Sequence, residues 1–150
     1  MLLGAGLAGA GCGGSYIPNT DVPETDENRN IVAFCELYRQ ALESQDVTTL
    51  VSLAASDYYE NGGDVDASND IDYAGLKDYL QAKFGEATGI RHEIRYRNVD
   101  VRDDVIYVYY TYSGSFRRPT FEGEKWERVV AENRLEIVPE GETFKIVAGM

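Results

Sequence analysis

The feature that most constrains the fold of this sequence is a change in the spacing of its apolar residues near Ile90. Before this point apolar residues recur every three or four positions, which is the period of an amphipathic helix. After it they alternate with polar residues, which is the period of a β-strand. Helices followed by a run of strands predict an α+β fold, in which the helices pack on one face of an antiparallel sheet.

The first half of the domain predicts three helices. Residues 28–46 place their apolar side chains on one helical face. Asp46 is expected to cap a short second helix, and Asp72 a third helix that runs to Phe84. Gly85 then favours the end of that helix.

The second half predicts four strands, over residues 91–101, 105–116, 124–138 and 143–150. The inward face of the first strand is expected to carry His92, Ile94, Tyr96 and Asn98. The opposite faces of the first and third strands alternate Arg with Glu, which is typical of a solvated surface with cross-strand ion pairs. The second strand has tyrosines on both faces, so its pattern does not reveal which face points inward.

The N-terminal residues 1–12 are small and apolar and end at Cys12, which resembles the end of a bacterial lipoprotein signal. This resemblance implies acylation of Cys12, an extracytoplasmic location and attachment to a membrane through the lipid alone. The alternative is a disordered Gly/Ala tail. Residues 13–27 combine Gly, Pro, Thr and acids without periodicity and predict a flexible linker before a domain over 28–150.

Two further properties limit the chemistry of the chain. Cys35 lies in the apolar stripe of the first helix, which predicts a buried, inert thiol. A Cys12–Cys35 disulfide is the alternative if the N-terminal segment is retained. The net charge of −12 and the pI of about 4.4 would repel a phosphate backbone, so nucleic acid is not an expected partner.

Three segments of the sequence resemble the nuclear transport factor 2-like superfamily, which includes ketosteroid isomerases and SnoaL-like cyclases. They are FCELYRQALESQDVTTLVSLAASDYYENGG, DYAGLKDYL and the ending FKIVAGM, and the resemblance extends over residues 28–150. It implies a cone-shaped, curved antiparallel sheet packed on three N-terminal helices, with a pocket at the wide end. Enzymes and non-catalytic binding modules share this fold, so the resemblance alone does not decide the function.

The resemblance to ketosteroid isomerases can be followed residue by residue. It implies that Tyr38 donates to an oxyanion, that the catalytic base falls on Gly62 and that the second donor falls on Asn133. Gly62 cannot take a proton, and Asn133 can donate a hydrogen bond but is not an acid. A general base contributes about 10²–10⁴-fold in rate, so the isomerase mechanism is disfavoured. The more common role for a tyrosine at such a position is that of a core residue with a hydrogen-bonded hydroxyl, which is the favoured interpretation of Tyr38.

His92 is the only histidine. Dehydratase-type members of the superfamily use His with Asp, so the resemblance allows a catalytic pair of His92 with Asp57 or Asp64. The alternative is a structural histidine that is hydrogen-bonded within the sheet.

The acidic loop from Asp64 to Asp72 was compared with a calcium-binding loop, because it alternates oxygen-bearing side chains. Asn69 stands where such a loop needs Gly, and Gly75 stands where it needs Glu. One histidine and two cysteines are also too few for a typical structural zinc site. The sequence therefore predicts a solvated acidic loop, with no metal and no cofactor.

The segment DYYENGGD, residues 57–64, has two interpretations. Its tyrosines line or plug the cone while Gly62 and Gly63 turn the chain, or it contributes to a ligand pocket. The pocket hypothesis places seven residues in the wall, which are Tyr38, Tyr58, Asn61, His92, Tyr96, Trp126 and Asn133.

The leading functional hypothesis is a lipoprotein whose domain binds a small apolar-to-amphipathic ligand, or a protein partner, without catalysis. The second is a lyase or isomerase that uses His92 with Asp57 or Asp64 and Tyr38 as a donor. The third is an assembly role through a homodimer, which the charged outer face of the sheet disfavours.

Overall fold

The computed structural model describes residues 13–86 and 89–150 and confirms the α+β class. Its elements are α1 (Asp26–Glu43), α2 (Val47–Leu53), β1 (Tyr59–Glu60), a 3₁₀ turn (Ala67–Asn69), β2 (Ile71–Asp72), α3 (Tyr73–Gly85), β3 (Gly89–Arg102), β4 (Val105–Thr120), β5 (Gly123–Glu140) and β6 (Thr143–Ala148). The strands β3 to β6 form one antiparallel sheet in chain order, and the three helices pack on it. Cys12 lies outside the described residues. Within the described residues, no helix is long and apolar enough to cross a membrane.

Each helix begins at a side chain that caps it. Asp46 accepts a hydrogen bond from the Thr49 amide at 3.0 Å, and Asp72 accepts one from the Gly75 amide at 2.8 Å, so both predicted caps are confirmed. The first helix starts two residues earlier than predicted, at Asp26. The reason is that the Thr25 hydroxyl caps it by accepting from the amide of residue 28 at 3.0 Å.

The core lies between the helices and the concave face of the sheet. It is formed by apolar side chains of α1 and α3 and by the inward residues of the strands, among them Ile31, Phe34, Leu76, Leu80, Val108, Leu135, Ile137 and Ile146. Tyr110 points inward, which settles the face of β4 that the sequence left open. Cys35 is a fully buried free thiol, and burial raises its pKa to about 12, so the inert-thiol prediction is confirmed.

A β-bulge interrupts the first long strand. The register between β3 and β4 shifts between Tyr96 and Asn98, so Arg97 has no directly opposed partner. Asn98 is therefore exposed, and Val99 packs against the core in its place. The expectation that Asn98 points inward was wrong, because strict alternation cannot reveal an inserted residue.

Residues 15–24, here called the N-terminal strap, pack against the domain instead of forming a free linker. The strap folds on itself through a bond from the Ile17 amide to the Val22 carbonyl, and Val22 is fully buried. The Asp21 amide donates to the Tyr96 carbonyl at 2.9 Å. The composition of residues 13–27 predicted a flexible linker, because composition reflects only the local conformational preference of the chain. The contacts that order the strap are with residues far away in the sequence, so composition cannot reveal them.

The carboxylate of Asp21 secures the strap to β3. It accepts hydrogen bonds from the guanidinium groups of Arg95 and Arg97, at 2.5 and 2.7 Å. These bonds hold the pKa of Asp21 down at about 2. The strap thus covers the free edge of β3, which is an edge strand of the sheet.

Candidate functional site

A cavity of about 470 Å³ opens between α1, α3 and the concave face of the sheet. A volume of this size accommodates a small organic molecule. Its wall is largely aromatic and aliphatic, and is formed by Tyr38, Leu42, Tyr79, Phe84, Ile90, Ile94, Tyr110, Tyr112, Phe116 and Met150, with the polar residues Lys83, Glu86, His92, Arg118 and Asn133.

Three polar side chains in the wall form a hydrogen-bonded chain. Tyr38 donates to the hydroxyl oxygen of Tyr110, and the Asn133 amide donates to the same oxygen. The side-chain carbonyl of Asn133 accepts the Arg134 amide at 2.8 Å. Burial raises the pKa of Tyr38 far above its usual range, so this hydroxyl stays protonated. With two bonds accepted, the Tyr110 oxygen keeps its own proton available for a third partner.

His92 lies opposite Gly114 in the β3–β4 pairing and packs against two aromatic rings, one tilted and one edge-on. The ring centroids of Tyr112 and Phe116 are 5.8 and 5.9 Å from the imidazole. Burial, followed by the positive charge of Lys83, lowers the pKa of His92 below 6.5, so the ring is neutral at pH 7. Its Nδ1 atom is buried and makes no hydrogen bond with any described residue.

The charged residues of the wall are exposed. Lys83, Glu86 and Arg118 remain accessible to solvent, and the Lys83 ammonium lies 5.4 Å from the centre of the Tyr79 ring. Glu86 is the carboxylate among the lining residues. The interior thus offers uncharged hydrogen-bonding groups, and the formal charges stand at the exposed part of the wall.

Three of the seven residues predicted for the pocket line this cavity, namely Tyr38, His92 and Asn133. Tyr58 is buried behind the wall, where its hydroxyl accepts the Met150 amide at 3.3 Å. Tyr96 is buried on the other side of the core and donates to Glu36 at 2.8 Å.

The remaining two predicted pocket residues lie elsewhere. Asn61 is exposed in a separate surface groove beside β5. Trp126 is half exposed on the outer face of the sheet, with the guanidinium groups of Arg91 and Arg117 at 5.1 and 5.9 Å from its ring. Its contacts are cation–π interactions at the surface.

The structure does not bring Asp57 or Asp64 to His92. Asp57 is exposed in a groove between the end of α2 and the β5–β6 turn. Asp64 is exposed in the acidic loop, where it accepts from the Asp66 amide and from Asn69. Gly62, the position implied for an isomerase base, also lies outside the cavity, in a left-handed turn with φ of 64°.

The acidic loop uses its carboxylates to organise its own backbone. Asp66 accepts from the amide and hydroxyl of Ser68, and the Tyr59 hydroxyl donates to Asp70. Hydrogen bonds from Asn69 and Ser68 lower the pKa of Asp64 and Asp66 respectively. Over residues 13–86 and 89–150, no group of three His, Cys, Asp or Glu side chains could hold a metal ion.

Sequence reasoning missed several aromatic residues of the cavity, chiefly Tyr110, Tyr112 and Phe116. All three lie on the even-numbered face of β4. A signal was available in the neighbouring strand: Leu135 and Ile137 are expected inside, and the pairing places them opposite Val108 and Ile106. Because side chains alternate between the two faces of a strand, the other even-numbered residues of β4 also point inward.

The comparisons with known proteins identify the fold. No family model matches this sequence, and no curated protein matches it either. A candidate scytalone dehydratase from Novosphingobium aromaticivorans superposes with a TM-score of 0.68 and 14% identity, covering 82% of this chain and 80% of that one. A candidate dehydratase of the NTF2-like family from Streptomyces avermitilis has a TM-score of 0.67 and 12% identity, covering 81% and 92%.

A third solved structure, the Kfla4162 protein from Kribbella flavida, has a TM-score of 0.66 and 14% identity, covering 81% of this chain and 86% of that one. These structural similarities cover most of each chain. The sequence identities are low, so the similarities establish the fold and nothing about function. The chain therefore has the cone fold of the NTF2-like proteins, as the sequence resemblance implied.

Proposed function

We propose that this chain is an extracytoplasmic bacterial lipoprotein whose cone domain binds a small, uncharged, apolar-to-amphipathic molecule without transforming it. The observation that carries the proposal is the cavity of about 470 Å³, with an aromatic wall and a neutral His92 whose Nδ1 has no partner among the described residues. A buried polar atom left unpaired is costly. Nδ1 is closed off from solvent, so a ligand hydroxyl that bonded it and removed that cost would first displace the aromatic packing around His92.

The electrostatics of the wall favour a neutral ligand. The interior polar groups are His92, Tyr38 and Tyr110, which are uncharged at pH 7, and the exposed Asn133 adds a neutral amide to the wall. A ligand carrying a charge would lose its hydration without gaining an opposite charge inside the cavity. Flat, weakly polar molecules suit both the aromatic wall and the single unpaired nitrogen.

The absence of turnover in this proposal rests on where the carboxylates lie. An acid–base pair needs a second group within hydrogen-bond reach of the base or of the substrate. Asp57 and Asp64 are exposed and lie outside the cavity, and Gly62 has no side chain. Glu86 lines the cavity but stands at the exposed part of the wall, and it is not among the charges that shift the pKa of His92. Binding requires none of these residues.

The first test is native mass spectrometry of the full chain carrying Cys12→Ser, purified from a bacterial host, with organic extraction of the same sample. A co-purified small molecule supports the proposal. The second is a fluorescence titration with 2-naphthol and with naphthalene. The wild type should prefer 2-naphthol, His92→Ala should lose that preference, and Trp126→Phe on the outer face should keep it. An empty protein that binds neither probe contradicts the proposal.

Lipid attachment is a separate part of the proposal and is supported by the sequence before Cys12. Labelled fatty acid should enter the wild type and not Cys12→Ser. Each buried CH₂ of an acyl chain contributes about 0.8 kcal/mol to membrane binding, so two chains hold a protein stably. Equal labelling of both proteins would rule out acylation at Cys12.

A lyase or isomerase remains a second candidate, because His92 and the hydrogen-bonded Tyr38–Tyr110 pair line the same cavity. In this alternative His92 itself takes the proton and the tyrosines stabilise the developing oxyanion. A panel of enolisable ketones and hydroxyacyl compounds tests it. Turnover that disappears in His92→Ala would establish this function and overturn the non-catalytic proposal.

A further inference from the structure

The strand β5 has an open edge. β4 covers its first edge without a register shift, from the pair of Ile106 and Ile137 to the pair of Thr120 and Gly123. On the second edge β6 pairs only from Glu136 onward. Gly149 packs against the carbonyl of Arg134, so closely that a Cβ would lie 2.1 Å away. In the part of the chain that the structure describes, no strand pairs with residues 123–133 on that side.

The residues along this edge favour pairing with another strand. Natural proteins usually protect an open edge with a proline, a bulge or inward-pointing charges. Residues 124–133 contain no Pro and no Gly, and their pairing with β4 has no bulge. Lys125 and Glu127 place charges on the inward face at the start of this stretch, and residues 128–131 carry none on that face. The centre of the edge is Val129, Val130 and Ala131, of which Val129 is 42% and Val130 is 61% exposed. β-Branched residues here suit a strand with two neighbours.

Two opposite charges on the outer face flank this centre without ion partners. Arg128 donates to the Ser113 hydroxyl at 2.9 Å and forms no ion pair with a described residue. Glu132 likewise forms no ion pair within the described ranges. The two side chains are four residues apart on one strand, which separates them by about 13 Å. They therefore cannot neutralise each other within one molecule.

Twofold symmetry determines how two copies of this edge could meet. Residues directly opposed in an antiparallel pair point to the same side of the sheet. A twofold axis perpendicular to the sheet keeps the same face of both copies on the same side. Each residue must therefore oppose a residue of the other copy that is also even-numbered or also odd-numbered, and the axis must pass through a residue position. Only a few registers satisfy this condition within residues 123–133.

Centring the pair on Val130 satisfies both charges. Arg128 of each copy then stands opposite Glu132 of the other, Val130 opposes itself, and Val129 opposes Ala131. Moving the axis by one residue removes this match. An axis at Val129 sets Arg128 opposite Val130, and an axis at Ala131 sets Arg128 opposite Arg134, which is repulsive.

We propose that two copies of this chain associate through the open edge of β5, antiparallel and centred on Val130, and that their four-stranded sheets join into one of eight strands. The pairing ends near Arg134, where Gly149 occupies the edge. A surface groove of about 630 Å³ beside Glu132 and Asn133 leaves room for the end of the incoming strand. This assembly needs no ligand, and it meets the cavity wall only at Asn133, which lies near the end of the paired stretch.

Sedimentation velocity of the full chain carrying Cys12→Ser, over a concentration series, tests the proposal. The protein should dimerise reversibly. Arg128→Glu and Glu132→Arg each place like charges opposite each other at two symmetric positions, and each should weaken association by about tenfold or more. The double variant Arg128→Glu/Glu132→Arg restores opposite charges across the axis and should recover the dimer.

Disulfide trapping tests the register directly, because a residue on the axis faces its own copy. Val130→Cys should form an intermolecular disulfide under mild oxidation, and the equally exposed Val101→Cys on β3 should not. A strict monomer at every concentration overturns the proposal. So does a dimer that the single charge reversals leave unchanged, because that dimer uses another surface.

Discussion

The ring of Phe116 lies edge-on to the imidazole of His92, with the two ring centroids 5.9 Å apart and the planes at 89°. This placement depends on Gly114, which is the cross-strand partner of His92. A Cβ at Gly114 would lie 2.9 Å from Cε2 of Phe116. The glycine therefore leaves the space in which the phenyl ring covers the histidine.

Gly114→Ala should displace the Phe116 ring from His92. Forcing an extra methyl into a packed site costs about 1–3 kcal/mol, so urea denaturation should show a loss of that size, together with weaker binding of 2-naphthol. Phe116→Leu in the Gly114→Ala background should recover part of the stability. Gly85→Ala is the matched control, because no atom lies within 4 Å of the added Cβ. A fully stable Gly114→Ala variant would contradict this account.

Much of the fold could be predicted from local patterns. The helix caps Asp46 and Asp72 and the switch in apolar period are properties of short segments, and the structure has them where the sequence placed them. The bulge at Arg97 and the packing of the strap could not be predicted in this way. The first is one inserted residue in a strand, and the second depends on Asp21 meeting arginines more than 70 positions away.

The site was harder to predict than the fold, because it depends on which strand residues meet. Tyr38, His92 and Asn133 come from α1, β3 and β5, and only the register of the sheet brings them to one cavity. Tyr110 connects Tyr38 to Asn133. Its inward orientation could not be predicted, because β4 has tyrosines on both faces. Trp126 was assigned to the pocket as an aromatic residue, and its parity on β5 places it outside.

The hydrogen-bonded chain in the cavity predicts unequal effects for two similar substitutions. Tyr38→Phe removes one donor and should lower the free energy of unfolding by about 0.5–1.5 kcal/mol. Tyr110→Phe leaves the buried Tyr38 hydroxyl without its acceptor, and an unsatisfied buried group costs about 1–3 kcal/mol. Asn133 is exposed, so its side-chain amide can bond water instead. Urea denaturation should therefore rank Tyr110→Phe as more destabilising. Tyr107→Phe on the outer face is the control. Equal losses of stability in Tyr38→Phe and Tyr110→Phe would argue against the hydrogen-bonded chain.

The strap should depend on the Asp21 carboxylate. Asp21→Asn keeps the shape of the side chain but removes its charge, so the strap should open more often. Hydrogen exchange of the amide at position 21, which donates to Tyr96 at 2.9 Å, should then be faster, whereas Glu27→Gln in the first turn of α1 should leave it unchanged. An unchanged exchange rate in Asp21→Asn would show that Val22 alone holds the strap.

The same carboxylate sets the pH range in which the strap is held. The pKa of Asp21 is about 2 in the folded chain, against an ordinary value of 3.8, because Arg95 and Arg97 bond its ionised form. A lowered carboxyl pKa contributes stability above the unfolded value and loses it as the pH falls through the folded value. The protection factor of the amide at position 21, in which the intrinsic pH dependence of exchange is divided out, should therefore stay constant down to about pH 4 and decrease between about pH 4 and pH 2. An NMR titration of the Asp21 side chain checks the pKa itself.

His92 predicts a second pH effect, at higher pH. Burial lowers its pKa below the ordinary value of 6.5, so the unfolded chain takes up a proton more readily than the folded one. Stability should therefore be constant above about pH 6.5 and fall as the pH drops from 6.5 to the folded pKa. His92 is the only histidine, so His92→Gln should flatten the free energy of unfolding across this range. Urea denaturation of the wild type between pH 7.5 and 5.5 checks this prediction. A stability that does not change over this range would show that His92 has the same pKa in the folded and the unfolded chain.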